Sequence, residues 1–126
     1  MALILFIDDE PDTLSTMEKA VQLLGHRALL AQTEAQALEL IKPEMPDLIF
    51  IDLQLSDTDG FSLVRNMRQA GSVLSHVPII ILSAGLTLDA ALRAQEAGAQ
   101  AYLLKPVRLQ TLVDLIVQYA PSALEL

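Results

Sequence analysis

An α/β fold is what this sequence predicts, a five-stranded parallel sheet between two layers of helices. Three observations carry that expectation. Leu3 to Ile7, Leu48 to Ile51 and Ile79 to Leu82 are apolar at every position and of strand length, which is how strands buried on both faces of a parallel sheet read. They alternate with segments whose apolar residues recur at spacings of three and four, the period of amphipathic helices. The runs also stop abruptly at polar groups: Asp8, Asp52 and Ser83. A carboxylate at the end of a buried strand is costly to desolvate unless it faces a crevice, and in open α/β sheets ligands bind at that end of the strands.

The elements follow in order. Leu3 to Ile7 is the first strand, ending in Asp8-Asp9-Glu10. Pro11 suits the first turn of a helix, which continues through Leu14, Met17, Val21 and Leu24 to a stop at Gly25. Arg27 to Ala31 is a short second strand. Thr33 and Gln36 form a capping box for a second helix with Ala35, Leu38 and Ile41 on its buried side. Pro43 and Pro46 end that helix and lead into the central strand, which closes in Asp52. Phe61, Val64 and Met67 mark a third helix, closed near Gly71, and residues 72–77 are a loop. After the fourth strand, Leu88, Ala91, Leu92 and Gln95 oppose a charged stripe of Asp89, Arg93 and Glu96, a fourth helix that Gly98 closes. Ala101 to Leu104 is the fifth strand, ending at Lys105-Pro106. Leu109, Leu112, Val113, Ile116 and Val117 make the last helix, and Pro121 ends it. Alternating strands and helices with right-handed crossovers leave few topologies. A flavodoxin-like, doubly wound order 2-1-3-4-5 is the leading one. Residues 1–120 form one domain, and residues 121–126 read as a tail or the start of a linker.

Composition narrows the function. The chain has 126 residues, 52% hydrophobic but only 4% aromatic, so Leu, Ile, Val and Ala must fill the core. Eight Lys and Arg against 16 Asp and Glu give a net charge of −8, which opposes phosphate backbones and argues against direct nucleic-acid binding. With no Cys there is neither a disulfide framework nor a thiolate site, as fits the cytosol. Met1 to Ile7 lacks a basic flank and runs into acid, so it reads as a buried strand, not a signal peptide or membrane span. His26 and His76 read as solvated loop residues, and Asp57 as a turn residue.

In the 2-1-3-4-5 order, strands one, three, four and five lie side by side. Asp8, Asp9, Asp52, Ser83 and Lys105 therefore converge on one crevice. Two carboxylates at about 4 Å repel by on the order of 4 kcal/mol at an effective dielectric of about 20. Either a pKa rises or a cation sits between them. A hard divalent ion wants oxygen ligands, and Mg²⁺ takes one or two carboxylates together with waters and phosphate oxygens.

These motifs, in this order across the whole chain, resemble a response-regulator receiver domain, the phospho-accepting half of two-component signalling. Asp8-Asp9 is similar to the family's Mg²⁺ pair, Asp52 to its phosphoryl acceptor, and Asp59-Gly60 to the Asp-Gly that follows. Ser83-Ala84 resembles its hydroxyl and small residue, Lys105-Pro106 its Lys-Pro, and Tyr102 its aromatic switch. The resemblance implies Mg²⁺ held by Asp8, Asp9, Asp52 and the backbone carbonyl of Gln54. It also implies phosphoryl transfer to Asp52 from a histidine kinase or histidine phosphotransfer protein, assisted by Lys105 and Ser83. Ser83 and Tyr102 would then alter the face built from the fourth helix, fifth strand and fifth helix, where an effector or a second copy binds. The resemblance implies a cytoplasmic protein that is not an enzyme in the usual sense, since its transfer is self-catalysed and its dephosphorylation slow. Leu55 and Ser56 depart from the family's Met-Pro. Arg93, Arg108 and Asp114 are fewer charges than members that dimerise by salt bridges carry on that face. Gln54 and Gly85 border the line of attack and bear on the phosphoryl lifetime.

Other readings compete. A haloacid-dehalogenase-type phosphatase also has a strand-end Asp nucleophile and Mg²⁺, but Gln54 stands where its second Asp would be and cannot titrate. A flavodoxin-like cofactor binder needs a first loop that accepts phosphate, and Asp8-Asp9-Glu10 repels it. A receiver-like interaction module that no longer depends on phosphorylation is the non-catalytic rival.

Overall fold

The computed structural model describes residues 1–69, 71–85 and 87–120. Strands β1 (Leu3–Ile7), β2 (Arg27–Ala31), β3 (Leu48–Asp52), β4 (Ile79–Ser83) and β5 (Ala101–Leu104) alternate with helices α1 (Pro11–Leu23), α2 (Glu34–Leu40), α3 (Gly60–Met67), α4 (Leu88–Ala97) and α5 (Leu109–Tyr119). All strand pairs are parallel, and the order is β2-β1-β3-β4-β5. The doubly wound sheet expected from the apolar runs is the one formed. The expected stop at Pro121 and the tail 121–126 lie outside the described residues.

Alternation along the strands sorts the core into two layers. Ile4, Phe6, Leu48, Phe50, Ile80 and Leu82 pack with Leu14, Met17 and Val21 of α1 and with Leu112, Leu115 and Ile116 of α5. Leu5, Ile7, Ile49, Ile51, Ile79 and Ile81 pack with α2, α3 and α4 through Ala37, Phe61, Val64, Met67, Ala94 and Ala97. β1, β3 and β4 are buried throughout, which is why their sequences are apolar on both faces.

Three helices turn differently from the expectation. In α2, Ala37 and Ile41 are buried while Leu38 is 43% exposed and Ala35 is exposed. The line Ala37, Leu40, Ile41 satisfies the same period as Ala35, Leu38, Ile41, and spacing alone does not choose between them. In α4 the buried residues are Ala94 and Ala97, while Leu88 is 78% and Leu92 50% exposed. The helix lies close to the sheet on small side chains and turns its larger ones outward. In α5, Leu115 replaces Val117 in the core, and Leu109 and Val117 are about half exposed. The Thr33 hydroxyl accepts from Gln36 N as a cap should, but Gln36 Oε1 reaches Gln32 N rather than the cap residue's own N–H.

The end of the sheet remote from the strand-end acids is pinned by side chains. His26 Nδ1 accepts from Ala2 N at 2.9 Å and Asp47 Oδ2 accepts from Leu3 N at 2.8 Å. His26 is therefore a half-buried acceptor rather than the solvated residue expected. The Arg68 guanidinium donates to the carbonyls of Leu74, Val77 and Gly98 and to Gln100 Oε1, tying the α3–β4 loop to the α4–β5 turn. Gly98, at φ +110°, ends α4 in the left-handed region that glycine tolerates best.

Candidate functional site

Strand register sets the site. Ile7 pairs with Ile51, so Asp8 and Asp52 sit at the same level of adjacent strands. Asp52 pairs with Leu82 and Ser83 with Leu104, so Ser83 and Lys105 follow one step further across the sheet. Parity adds direction. Asp8 continues the series Ile4, Phe6; Asp52 the series Leu48, Phe50; Lys105 the series Ala101, Leu103. All three series face the α1–α5 layer, so the three side chains rise on one side. Ser83 continues the series Ile79, Ile81 on the opposite side and meets the others only at the sheet's edge.

The Lys105 ammonium lies 2.8 Å from Asp8 Oδ2 and 3.3 Å from Asp52 Oδ1. Asp8 is thus the nearer of its two partners. Asp8 is 3% and Asp52 8% exposed. Asp8 Oδ1 accepts from Glu10 N at 2.9 Å, and Asp52 Oδ1 accepts from Gln54 N at 3.3 Å. Burial pushes the Asp52 carboxyl above its ordinary range; Lys105 opposes this, and repulsion from Asp8 adds to it. Burial pulls the Lys105 ammonium down, but its bonds to Asp8 and Asp52 outweigh that and leave it raised. Charge is thus retained on the amine and strained on the acid.

Asp9 completes the cluster. Among the described residues, Asp8, Asp9 and Asp52 each offer a carboxylate oxygen, all within 4.8 Å of one another. One ammonium against three carboxylates leaves the crevice negative. An all-oxygen donor set around unbalanced charge suits a hard divalent cation and not a soft one.

The loop after β3 is held by its own chemistry. Asp59 caps α3, its carboxylate accepting from Ser62 N at 2.8 Å and Ser62 Oγ at 2.9 Å. These bonds, led by the one from Ser62 N, hold the Asp59 carboxyl below its ordinary range. Gly60 N donates to Leu53 O at 2.7 Å. A Cβ at Gly60 would lie 2.8 Å from Leu53 Cα and 3.1 Å from Asp52 O, so only glycine lets α3 begin this close to the acid's backbone. Asp57 is exposed, as expected of a turn residue.

Gly85 joins the other two residues singled out in the sequence. Ser83 Oγ accepts from Gly85 N at 3.2 Å, and the Tyr102 hydroxyl donates to Gly85 O at 2.6 Å. Among the described residues no acceptor takes the Ser83 hydroxyl's own proton, which can therefore donate elsewhere. Thr13, which sequence reasoning passed over, lines the small hollow beside Asp8 and Asp52. With Thr16, Met17, Pro106 and Val107 it also walls a groove of ≈ 440 Å³ that opens at Lys105. Its only sequence signal was its place in the first turn after the acidic strand end.

A family model described as "Response regulator receiver domain" matches residues 4–117. The chain is 34% identical over 110 residues to the transcriptional regulatory protein PrrA of Mycobacterium tuberculosis, covering 87% of this chain and 46% of that one. It is 28% identical over 123 residues to the sensory/regulatory protein RpfC of Xanthomonas campestris pv. campestris, covering 97% of this chain and 17% of that one. The chain thus spans less than half the length of these relatives. Among solved structures, a two-component response regulator from Clostridium difficile superposes with a TM-score of 0.87 at 26% identity, covering 99% of this chain and 100% of that one. The chemotaxis protein CheY4 of Vibrio cholerae, at 23% identity, shares the fold with a TM-score of 0.86 over 94% of this chain and 98% of that one.

Proposed function

We propose, from the premise that this chain belongs to the response-regulator receiver domain family, that it accepts a phosphoryl group on Asp52 and signals through the face formed by α4, β5 and α5. Receiver domains of this family act in two-component systems. In this reading the protein is cytoplasmic. The observation that carries the reading is the convergence of Asp8, Asp52 and Lys105 on one side of the sheet, within salt-bridge distance.

A carboxylate oxygen of Asp52 attacks phosphorus as the bond from phosphorus to the donor's histidine nitrogen breaks, leaving an acyl phosphate. Phosphoryl transfer of this kind is mostly positioning and charge neutralisation. Asp8, Asp9, Asp52 and the backbone carbonyl of Gln54 would hold Mg²⁺, with Asp8 acting directly or through water. Bound there, the ion neutralises the carboxylates and the incoming phosphoryl oxygens. Lys105, poised between Asp8 and Asp52, transfers its contact to a phosphoryl oxygen. Ser83 donates its free hydroxyl proton to another. That movement draws in Gly85, to which Ser83 and Tyr102 are both bonded, so Tyr102 follows the loop and the α4–β5–α5 face changes. A histidine kinase or histidine phosphotransfer protein supplies the group. The reaction is self-catalysed and dephosphorylation is slow, so the chain is a switch rather than a turnover enzyme. Residues 1–120 make up the receiver.

The test is incubation with Mg²⁺ and a small phosphodonor. One acid-stable, base-labile phosphoryl group per chain, absent without Mg²⁺ and absent in Asp52→Asn, supports the reading. Continuous consumption of donor would make it a phosphatase. Neither uptake nor turnover would make it an interaction module that no longer depends on phosphorylation.

A further inference from the structure

The end of the sheet remote from the acids carries a cleft of its own. Leu24 and His26, from the turn between α1 and β2, and Val113, Ile116 and Val117, a stripe of α5, line a hollow of ≈ 230 Å³. Ala2, bonded to His26, and Asp8 stand at opposite ends of β1, on the order of 20 Å apart at the rise of an extended strand. The cleft also accounts for Val117. Its spacing predicts a core residue, yet it is 55% exposed and forms part of this wall. Apolar walls alone name no occupant, but His26 narrows the choice.

The backbone N–H of His26 donates to Val21 O at 2.9 Å, and its Nδ1 accepts from Ala2 N at 2.9 Å. Accepting that bond requires a bare Nδ1, and a neutral imidazole with a bare Nδ1 carries its proton on Nε2. Burial and the chain's amino terminus hold the ring's pKa below the ordinary histidine value, against the pull of Asp47, so the neutral form prevails at neutral pH. Among the described residues no acceptor takes the Nε2 proton. No side-chain nitrogen among them is both buried and unpartnered, so Nε2–H is accessible on a ring that lines the cleft. One fixed donor among apolar walls suits a small molecule, whose apolar body is buried and whose single polar group is oriented. Leu24, Val113, Ile116 and Val117 bring no charge to the cleft, so an anion there would lose its water without gaining a cation. Size adds a limit. A dry apolar cavity of about 150 Å³ holds benzene, so ≈ 230 Å³ leaves room for a ring and a short substituent. We propose that this cleft binds an uncharged, ring-sized apolar molecule with one hydrogen-bond acceptor, which the Nε2–H of His26 engages. The site stands independently of what Asp52 does.

The probes are acetophenone, toluene and benzoate. Each is titrated into the isotope-labelled full chain at neutral pH and followed by the NMR shifts of its amides and imidazoles. The free chain should show His26 as the Nε2–H tautomer. Acetophenone should bind in roughly the millimolar range, moving the amides of Leu24, His26, Val113 and Val117 together with the Nε2 resonance. Benzoate should bind more weakly. His26→Asn keeps an acceptor for Ala2 N–H and removes the Nε2 donor. It should weaken acetophenone roughly two- to tenfold, the worth of one neutral hydrogen bond, and leave toluene unchanged. Val117→Asp, at a half-exposed position, should weaken both, and circular dichroism checks that each variant is folded. Should His26→Asn fail to fold, the Nε2 resonance of the parent reads the same contact. An Nδ1–H tautomer, no shifts, or shifts confined to the groove beside Lys105 would overturn the inference. So would benzoate binding as tightly as acetophenone, or an equal loss of toluene and acetophenone in His26→Asn. The same amides moving with protein concentration alone would assign the cleft to a second copy, and their moving in Leu124→Ser alone would assign it to the chain's own last residues; either result refutes a small-molecule site.

Discussion

Lys105 is the test of how the crevice is held together. Its ammonium lies 2.8 Å from Asp8 and 3.3 Å from Asp52. At an effective dielectric of about 20 those distances correspond to roughly 6 and 5 kcal/mol of attraction. Much of that is offset by the desolvation of all three groups. Breaking a buried pair by removing one partner typically costs about 3–5 kcal/mol, because a charge is left unpaired. The Lys105 side chain is 23% exposed, which admits water and lowers the expectation to about 2–4 kcal/mol. Lys105→Met keeps most of the volume and removes the charge. Urea denaturation without metal should show a loss of that size, on the order of 10 °C in melting temperature. Mg²⁺ should then stabilise the variant more than the parent, because it supplies the missing positive charge. A Lys105→Met protein as stable as the parent, with no larger response to Mg²⁺, would refute this account of the charge balance.

Other outcomes follow from the same geometry. Asp52→Asn should be more stable than the parent at neutral pH without metal. The folded pKa of Asp52 is raised by burial, so the native state favours the protonated acid. The parent's deficit should therefore grow as pH rises from the unfolded carboxylate range through the raised folded value, and vanish below it; denaturation at several pH values reads this. Gly60→Ala should cost about 1–3 kcal/mol through backbone crowding, since its Cβ would lie 2.8 Å from Leu53 Cα. It should also slow phosphoryl uptake by displacing the loop beside Asp52. His26 accepts a bond from Ala2 N, and its pKa is lowered by burial and by the chain's amino terminus. Because the folded value is depressed, stability is full above the ordinary histidine range and falls as pH drops from there to the folded value. His26→Gln should lose that slope in a pH series of melts, and a slope that persists would exclude His26 as its source.

The sheet could be read from the sequence because parallel strands buried on both faces leave unbroken apolar runs, and each of these runs ends at a residue that matters. Right-handed crossovers left few strand orders, and the leading one is the order formed. Helix faces were harder. In α4 the leucines made the clearer stripe, yet the sheet takes the alanines because close approach rewards small residues more than apolar content does. In α2 two lines share one period. The site's members were legible as strand ends, but not the parity that puts Lys105 nearer Asp8 than Asp52 and Ser83 on the other side. Contacts assembled from distant segments, such as Arg68 with Gly98 and Gln100 or Arg93 with Phe61, leave no periodic trace. Nor does the cis peptide bond between Lys105 and Pro106.

The most direct measurement is the position of the phosphoryl group. Treatment with Mg²⁺ and a small phosphodonor, then borohydride reduction of the acyl phosphate and peptide mass spectrometry, should find homoserine at position 52 and at no other carboxylate. Reduction at Asp8, Asp9 or Asp57, phosphate on a Ser, Thr or His instead, or no modification in a chain that binds Mg²⁺ would contradict the account.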